Sequence, residues 1–145
     1  MGNRISPELS RLLSERKITR AQISRDMILK EIEAAETDLK DAKDSFENDK
    51  FKWATIQSYY SMFHSARALL FSSSYREKSH YALLLAIREL FSKELERSLI
   101  ERFEDGMILR QEADYGLKFS ETGAIDTIDG AEELLARAKE ILRIK

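Results

Sequence analysis

The stretch WATIQSYYSMFHSARALLF, residues 53–71, decides the fold. It holds no proline or glycine and reads as a helix over about 51–73. At about 100° per residue, Ile56, Tyr59, Tyr60, Phe63, Ala66 and Leu70 share one face. Met62 and Leu69 lie on the opposite face, so this helix is apolar on two sides. A helix that is apolar all round is either central or at an interface. Its second face therefore predicts a homodimer formed through this helix. Tyr59, Tyr60, Phe63 and Trp53 read as core. Arg67 falls near the middle of the Phe63 face, where a charge is costly unless it is paired or lines a polar cleft. His64 sits on the flank.

The flanking sequence repeats one pattern. Ser6-Pro7 is an N-cap followed by proline at the first helical position, opening a short helix to about Lys17. Thr19 and Gln22 have capping-box spacing. They open a long helix over about 20–47, with Ile28, Ile32, Ala35 and Leu39 on one stripe. Asn48-Asp49 marks a turn. Ser79 caps a fourth helix, about 80–97, whose stripe runs His80, Leu84, Ile87, Phe91. A fifth helix runs to about 115, where Gly116 suits a left-handed stop. Residues 117–126 read as the longest loop, and Asp126 or Thr127 as the cap of a last helix, about 128–143. The expected fold is all-α: an up-down antiparallel bundle of four to five helices plus a short N-terminal helix, in one domain spanning 1–145.

Composition excludes several classes of function. The 145 residues include no cysteine, which removes disulfides, thiolate metal sites and cysteine nucleophiles. Two histidines, His64 and His80, do not make a zinc cage. Asp38, Asp41 and Asp44 lack the glycine of a calcium loop. No metal or cofactor is expected. No apolar run is long enough to span a membrane, and no apolar signal core opens the chain, so a cytoplasmic protein is expected. Residues 1–30 carry seven Lys/Arg against three Asp/Glu, and residues 31–50 three against eight. The acidic run reads as a solvated helix face with a Glu36–Lys40 pair. A net charge of −2 is far from that of a dedicated duplex binder. Nucleic-acid contact would be local.

The two polar intrusions on apolar stripes, Arg67 and His80, lie on either side of one helix-to-helix turn. In a hairpin they fall within about one turn along the axis. Arg76 and Lys78 sit in the connection. Arg67, Arg76, Lys78 and His80 together would form an anion site, aided by the free N–H groups and positive end of the fourth helix. That end should keep His80 neutral near pH 7, competent as a general base. Base plus guanidinium suffices for attack of an RNA 2′-hydroxyl on its own phosphate, and equally for holding a nucleotide unchanged. A structural alternative is that Arg67 pairs with a buried acid such as Asp114. Arg110 and Asp114 read as a helix-surface ion pair unless both turn toward the cleft.

YYSMFHSARALLF (59–71), REKSH (76–80) and LRQEADYG (109–116) together resemble the small stand-alone HEPN domains (higher eukaryotes and prokaryotes nucleotide-binding), in particular their uncharacterised subfamily, over about residues 20–143. The resemblance implies an up-down bundle, a homodimer with a cleft between subunits, and pairing with a small nucleotidyltransferase-domain protein in a two-gene, toxin–antitoxin-like module. Many such domains are metal-independent endoribonucleases with an arginine, roughly four to six residues, then a histidine. His80 matches that histidine and Arg76 is the nearest arginine, as candidate catalytic residues. Only three residues separate them, and Tyr75 stands where the four-residue spacing puts arginine. Nucleotide or single-stranded RNA phosphate binding therefore stands ahead of ribonuclease activity, with a non-catalytic interaction module as a further alternative. Candidate binding residues are Arg67, Lys78, His64, Tyr60, Asp114 and Tyr115.

Overall fold

The computed structural model describes residues 5–145. Among them, six helices and two short strands follow in the order α1 (Pro7–Ser14), β1 (Ile18–Arg20), α2 (Arg25–Glu47), α3 (Phe51–Ser72), β2 (Tyr75–Glu77), α4 (His80–Leu90), α5 (Arg97–Tyr115) and α6 (Glu121–Leu142). The fold is an all-α helical bundle, and no helix of the described residues is long and apolar enough to cross a membrane.

α3 is the axis. It packs against α2, α4, α5 and α6, and Tyr59, Met62, Leu69 and Leu70 are fully buried. Met62 lies close to Gly106 of α5 and Gly130 of α6, where the missing side chains give it room. The second apolar face is thus covered within the chain. Its two-sided apolarity reports a central helix, and the Met62–Leu69 face is not a dimer surface. Trp53 lies outside the core, half exposed beneath Lys52, because it shares the least buried stripe of α3 with Gln57, Tyr60, His64 and Arg67, while Ala54, Thr55 and Ile56 beside it are buried. Small polar side chains on α3 bond backbone within the packing: Ser58 Oγ donates to the Ala54 carbonyl (2.6 Å) and Ser61 Oγ to the Ala35 carbonyl of α2 (2.7 Å).

The strands are the departure from an entirely helical reading. β1 and β2 pair antiparallel with Ile18 opposite Glu77, Thr19 opposite Arg76 and Arg20 opposite Tyr75. Two flanking bonds, Ala21 N–H to Ser74 carbonyl and Lys78 N–H to Lys17 carbonyl (both 2.9 Å), extend the pairing. β-branched Ile18 and Thr19 and aromatic Tyr75 suit a pleated, half-buried surface. Thr19 therefore sits in a strand, and Ser24, not Thr19, caps α2 by accepting from the Met27 N–H (3.2 Å).

Three other boundaries move. α4 ends at Leu90, and the turn through Phe91–Glu96 redirects the chain so that Phe91 and Leu95 both reach the core. Gly116 is not left-handed (φ −96°); Leu117 carries the positive φ (54°) after α5. α6 begins at Glu121, capped by Ser120, whose hydroxyl accepts from the Gly123 N–H (3.0 Å). Thr127 is a buried helical residue donating to the Gly123 carbonyl (2.7 Å), so neither it nor Asp126 is a cap. The acidic face of α2 is tied to α6 by Lys43–Glu132 (2.8 Å) and Lys139–Glu36 (2.9 Å), and Glu36 pairs with Lys139 instead of Lys40.

Loss of an N-cap side chain costs about 0.5–2 kcal/mol, whereas ordinary surface changes stay within about 0.5. Ser120→Ala is expected to lower stability in urea unfolding by about 1 kcal/mol, and Asp126→Ala to leave it nearly unchanged. Equal effects would return the cap to Asp126.

Candidate functional site

Ser79, extended at φ −153°, caps α4 by accepting from the Ala82 N–H (3.0 Å) and so places His80 at the first helical position. From there the imidazole reaches into an aromatic wall built by α3. It stacks on Phe63 (centroids 4.3 Å), lies near-parallel to Tyr59 (5.7 Å) and edge-on to Tyr60 (5.9 Å). Its Nδ1 shares a 2.6 Å hydrogen bond with the Tyr59 hydroxyl. Burial, then the nearby Arg110 and Arg67 charges, push the His80 pKa down, with Glu77 opposing. The imidazole is neutral near pH 7, and burial contributes more to this than any neighbouring charge. Burial likewise pushes the Tyr59 pKa up, against the Arg110 charge, so its hydroxyl keeps its proton.

Arg67 does reach this wall. Its guanidinium lies over the Phe63 ring, 4.5 Å from the centroid. Its charge is already matched: Nε and Nη2 both donate to Glu77 Oε2 (2.8 and 2.5 Å), and Glu31 stands 3.8 Å from Nη1. Its partners are thus Glu77 and Glu31, not Asp114. The Glu77 side chain is only 4% exposed, and Oε1 has no hydrogen-bond partner among the described residues. His64 is also engaged, with Nδ1 bonded to Glu31 (2.8 Å) and Nε2 3.6 Å from Asp38. The acidic face of α2 is therefore partly internal.

Arg76 and Lys78 do not join His80. Side chains alternate along a strand, so Tyr75 and Glu77 turn inward while Arg76 turns to solvent, its guanidinium 5.1 Å from the Phe71 ring. Lys78 is exposed, and its backbone N–H is used by Lys17. The four-residue basic cluster expected from the hairpin therefore divides: Arg67 and His80 share Phe63, and the two loop cations face out. A residue from α5 takes their place. Arg110 is 8% exposed, and its guanidinium lies 5.4 Å from the Tyr59 centroid, 5.7 Å from Tyr60 and 5.9 Å from Tyr115. Asp114 is 3.7 Å from its Nη1. Arg110 and Asp114 thus turn toward the Tyr60 side of the wall. The i,i+4 spacing with Asp114 was a signal for the pair, but only the packing of α5 on α3 shows that Arg110 is buried while Asp114 stays partly exposed.

Two grooves, of about 680 Å³ beside Arg88, Arg97 and Glu104 and about 460 Å³ beside Arg102, Gly106 and Asp126, are lined by none of these residues. The site is a half-open wall on the surface of the chain, with His80 and Tyr60 part-buried and Tyr115 exposed.

The chain that carries this wall is matched by known proteins. The chain belongs to the HEPN domain family, whose model covers residues 29–145. A Methanocaldococcus jannaschii protein named "Putative toxin MJ0605" is 34% identical over 125 residues, covering 82% of this chain and 91% of its own. An Archaeoglobus fulgidus "UPF0332 protein" is 32% identical over 114 residues, covering 74% and 89%. A second M. jannaschii protein, "Putative toxin MJ0142", is 33% identical over 86 residues, 58% of each chain.

Removing one partner of a buried ion pair costs about 3–5 kcal/mol because the other charge is left unpaired. Arg67→Met is expected to destabilise by that order in urea unfolding, and Arg67→Met combined with Glu77→Met to recover most of the loss. A single variant as stable as the wild type would mean that the pair is not formed in solution.

Proposed function

We propose that the chain binds nucleotide or single-stranded RNA phosphate at His80, as the toxin-like half of a pair with a small nucleotidyltransferase-domain protein. The observation that carries the binding is the Tyr59–His80 bond of 2.6 Å. It commits Nδ1 and leaves Nε2 as the one imidazole nitrogen for a ligand. A protonated Tyr59 that donates to Nδ1 puts the imidazole proton on Nε2, where it donates to a phosphate oxygen. The relatives named as toxins support the toxin-like half of the reading. The partner half rests on the family likeness.

The lowered His80 pKa favours a second reading, as metal-independent endoribonuclease. In the opposite tautomer Nδ1–H donates to Tyr59, and Nε2 accepts the proton of a ribose 2′-hydroxyl. The 2′-oxygen attacks phosphorus and the bond to the 5′-oxygen breaks, leaving a 2′,3′-cyclic phosphate; the departing 5′-oxygen takes a proton from water to become the 5′-hydroxyl, and His80 returns its proton to solvent. Arg76, turned to solvent, is poorly placed to assist this step from the same protomer.

The two readings part with pH. Protonation of His80 below its ordinary value of about 6.5 adds a positive charge and keeps the Nε2 donor, so phosphate binding is expected to tighten as pH falls from 7 toward 5.5. Cleavage by a base is expected to slow over the same range. His80→Ala should weaken binding of a labelled RNA oligomer by roughly tenfold and abolish any cleavage or growth arrest on expression. Unchanged binding would remove His80 from the site.

A homodimer with the wall at its cleft completes the proposal, since the wall is open on one side in the single chain. Sedimentation at micromolar concentration should show a dimer. A monomer there would leave the cleft unformed.

A further inference from the structure

The geometry points to Arg110 and Tyr115 as a clamp for one nucleotide of single-stranded RNA, with the guanidinium holding a phosphate and the exposed ring stacking its unpaired base. The inference rests on the His80 reading above and names the groups that would hold the RNA beside it. Arg110 is the incompletely matched cation of the wall. Arg67 carries two short bonds to Glu77, whereas among the described residues the only carboxylate paired with Arg110 is 3.7 Å away, beyond the 2.7–2.9 Å of a charge-assisted bond. Arg110 Nε is buried without a hydrogen-bond partner among the described residues. The Tyr59, Tyr60 and Tyr115 rings attract the cation, and the Tyr59 hydroxyl lies within its reach, but ring faces do not accept its N–H groups as a phosphate oxygen does. A buried guanidinium short of acceptors is unfavourable, and a phosphate supplies them in matching planar geometry.

Tyr115 gives the second half. It is 78% exposed at the last residue of α5, with Arg110 5.9 Å from its ring centre. An exposed tyrosine beside a guanidinium offers a base a flat surface, and bases of single strands are free to use it whereas those of a duplex are already stacked. Arg110 and His80 both pack on Tyr59, at 5.4 and 5.7 Å, and on Tyr60, at 5.7 and 5.9 Å, so the guanidinium and the imidazole belong to the same aromatic wall. With one principal phosphate contact, the salt dependence is shallow.

Fluorescence anisotropy with a short labelled single-stranded RNA tests the clamp, with inorganic phosphate and the matching duplex as competitors. Tyr115→Ala, at an exposed position, is expected to weaken binding roughly tenfold, and Tyr115→Phe to bind as the wild type. Arg110→Lys keeps the charge and loses the planar fork; it should also weaken binding roughly tenfold, with a thermal melt near that of the wild type. RNA should outcompete both phosphate and duplex. Wild-type affinity in Tyr115→Ala, or equal affinity for inorganic phosphate, overturns the clamp. If His80→Ala still loses affinity in that case, the His80 reading stands alone. Absence of RNA binding by the wild-type protein overturns both.

Discussion

Polar atoms on the buried faces of α3 need partners inside the protein, because α3 lies between α2, α4, α5 and α6, and among the described residues all but Ser65 Oγ have one. Ser58 and Ser61 meet this demand with backbone carbonyls, Tyr59 with His80, and Arg67 with Glu77. Those last two partners come from the segment just after α3, so the path of residues 75–80 is dictated by what α3 needs to have satisfied. A buried hydroxyl or guanidinium without a partner costs far more than a hydrogen bond returns. The demand therefore fixes the imidazole against the aromatic wall and draws Glu77 inward.

The helical elements were legible because their signals are local. Apolar spacing on residues 53–71, Ser6-Pro7 and Ser79 each name a helix or its start without tertiary information. What the sequence hid depends on contacts between distant segments. Thr19 and Gln22 have the spacing of a capping box, but pairing with residues 75–77 outweighs a cap worth about a kilocalorie. Ser120 has the same chemistry as Asp126 and Thr127, and Thr127 is spent on the helix interior. Met62 and Leu69 showed that α3 had two apolar faces. Whether the second met a partner chain or α5 and α6 was decided by Gly106 and Gly130, whose small size admits close packing.

At the wall, sequence reading named His80, Arg67 and Tyr60, which the structure brings together around Phe63, and it misplaced the other cations. It gathered Arg67, Arg76 and Lys78 by proximity along a hairpin. Strand alternation, invisible until β2 is known to be a strand, sends Arg76 outward and Glu77 inward. Glu77 then neutralises Arg67. Arg110 was visible only as half of an i,i+4 pair, and its burial follows from the angle at which α5 meets α3. Charge counting ranks cations by nearness, whereas what a ligand meets is the charge left after the protein's own carboxylates have taken theirs.

The strand pair has a consequence for the order of assembly. β1 and β2 join Ile18 to Glu77, and the chain between them is the α2–α3 hairpin. Closing so long a loop from an unstructured chain is entropically slow, but a preformed hairpin brings the two ends together first. The α2–α3 hairpin thus precedes the strand pair. During synthesis residues 18–20 have no strand partner until residues 75–77 have been made. The wall around His80 matures after that hairpin, and a chain folded only as far as α3 has Tyr59 and Phe63 in place without the imidazole that packs on them.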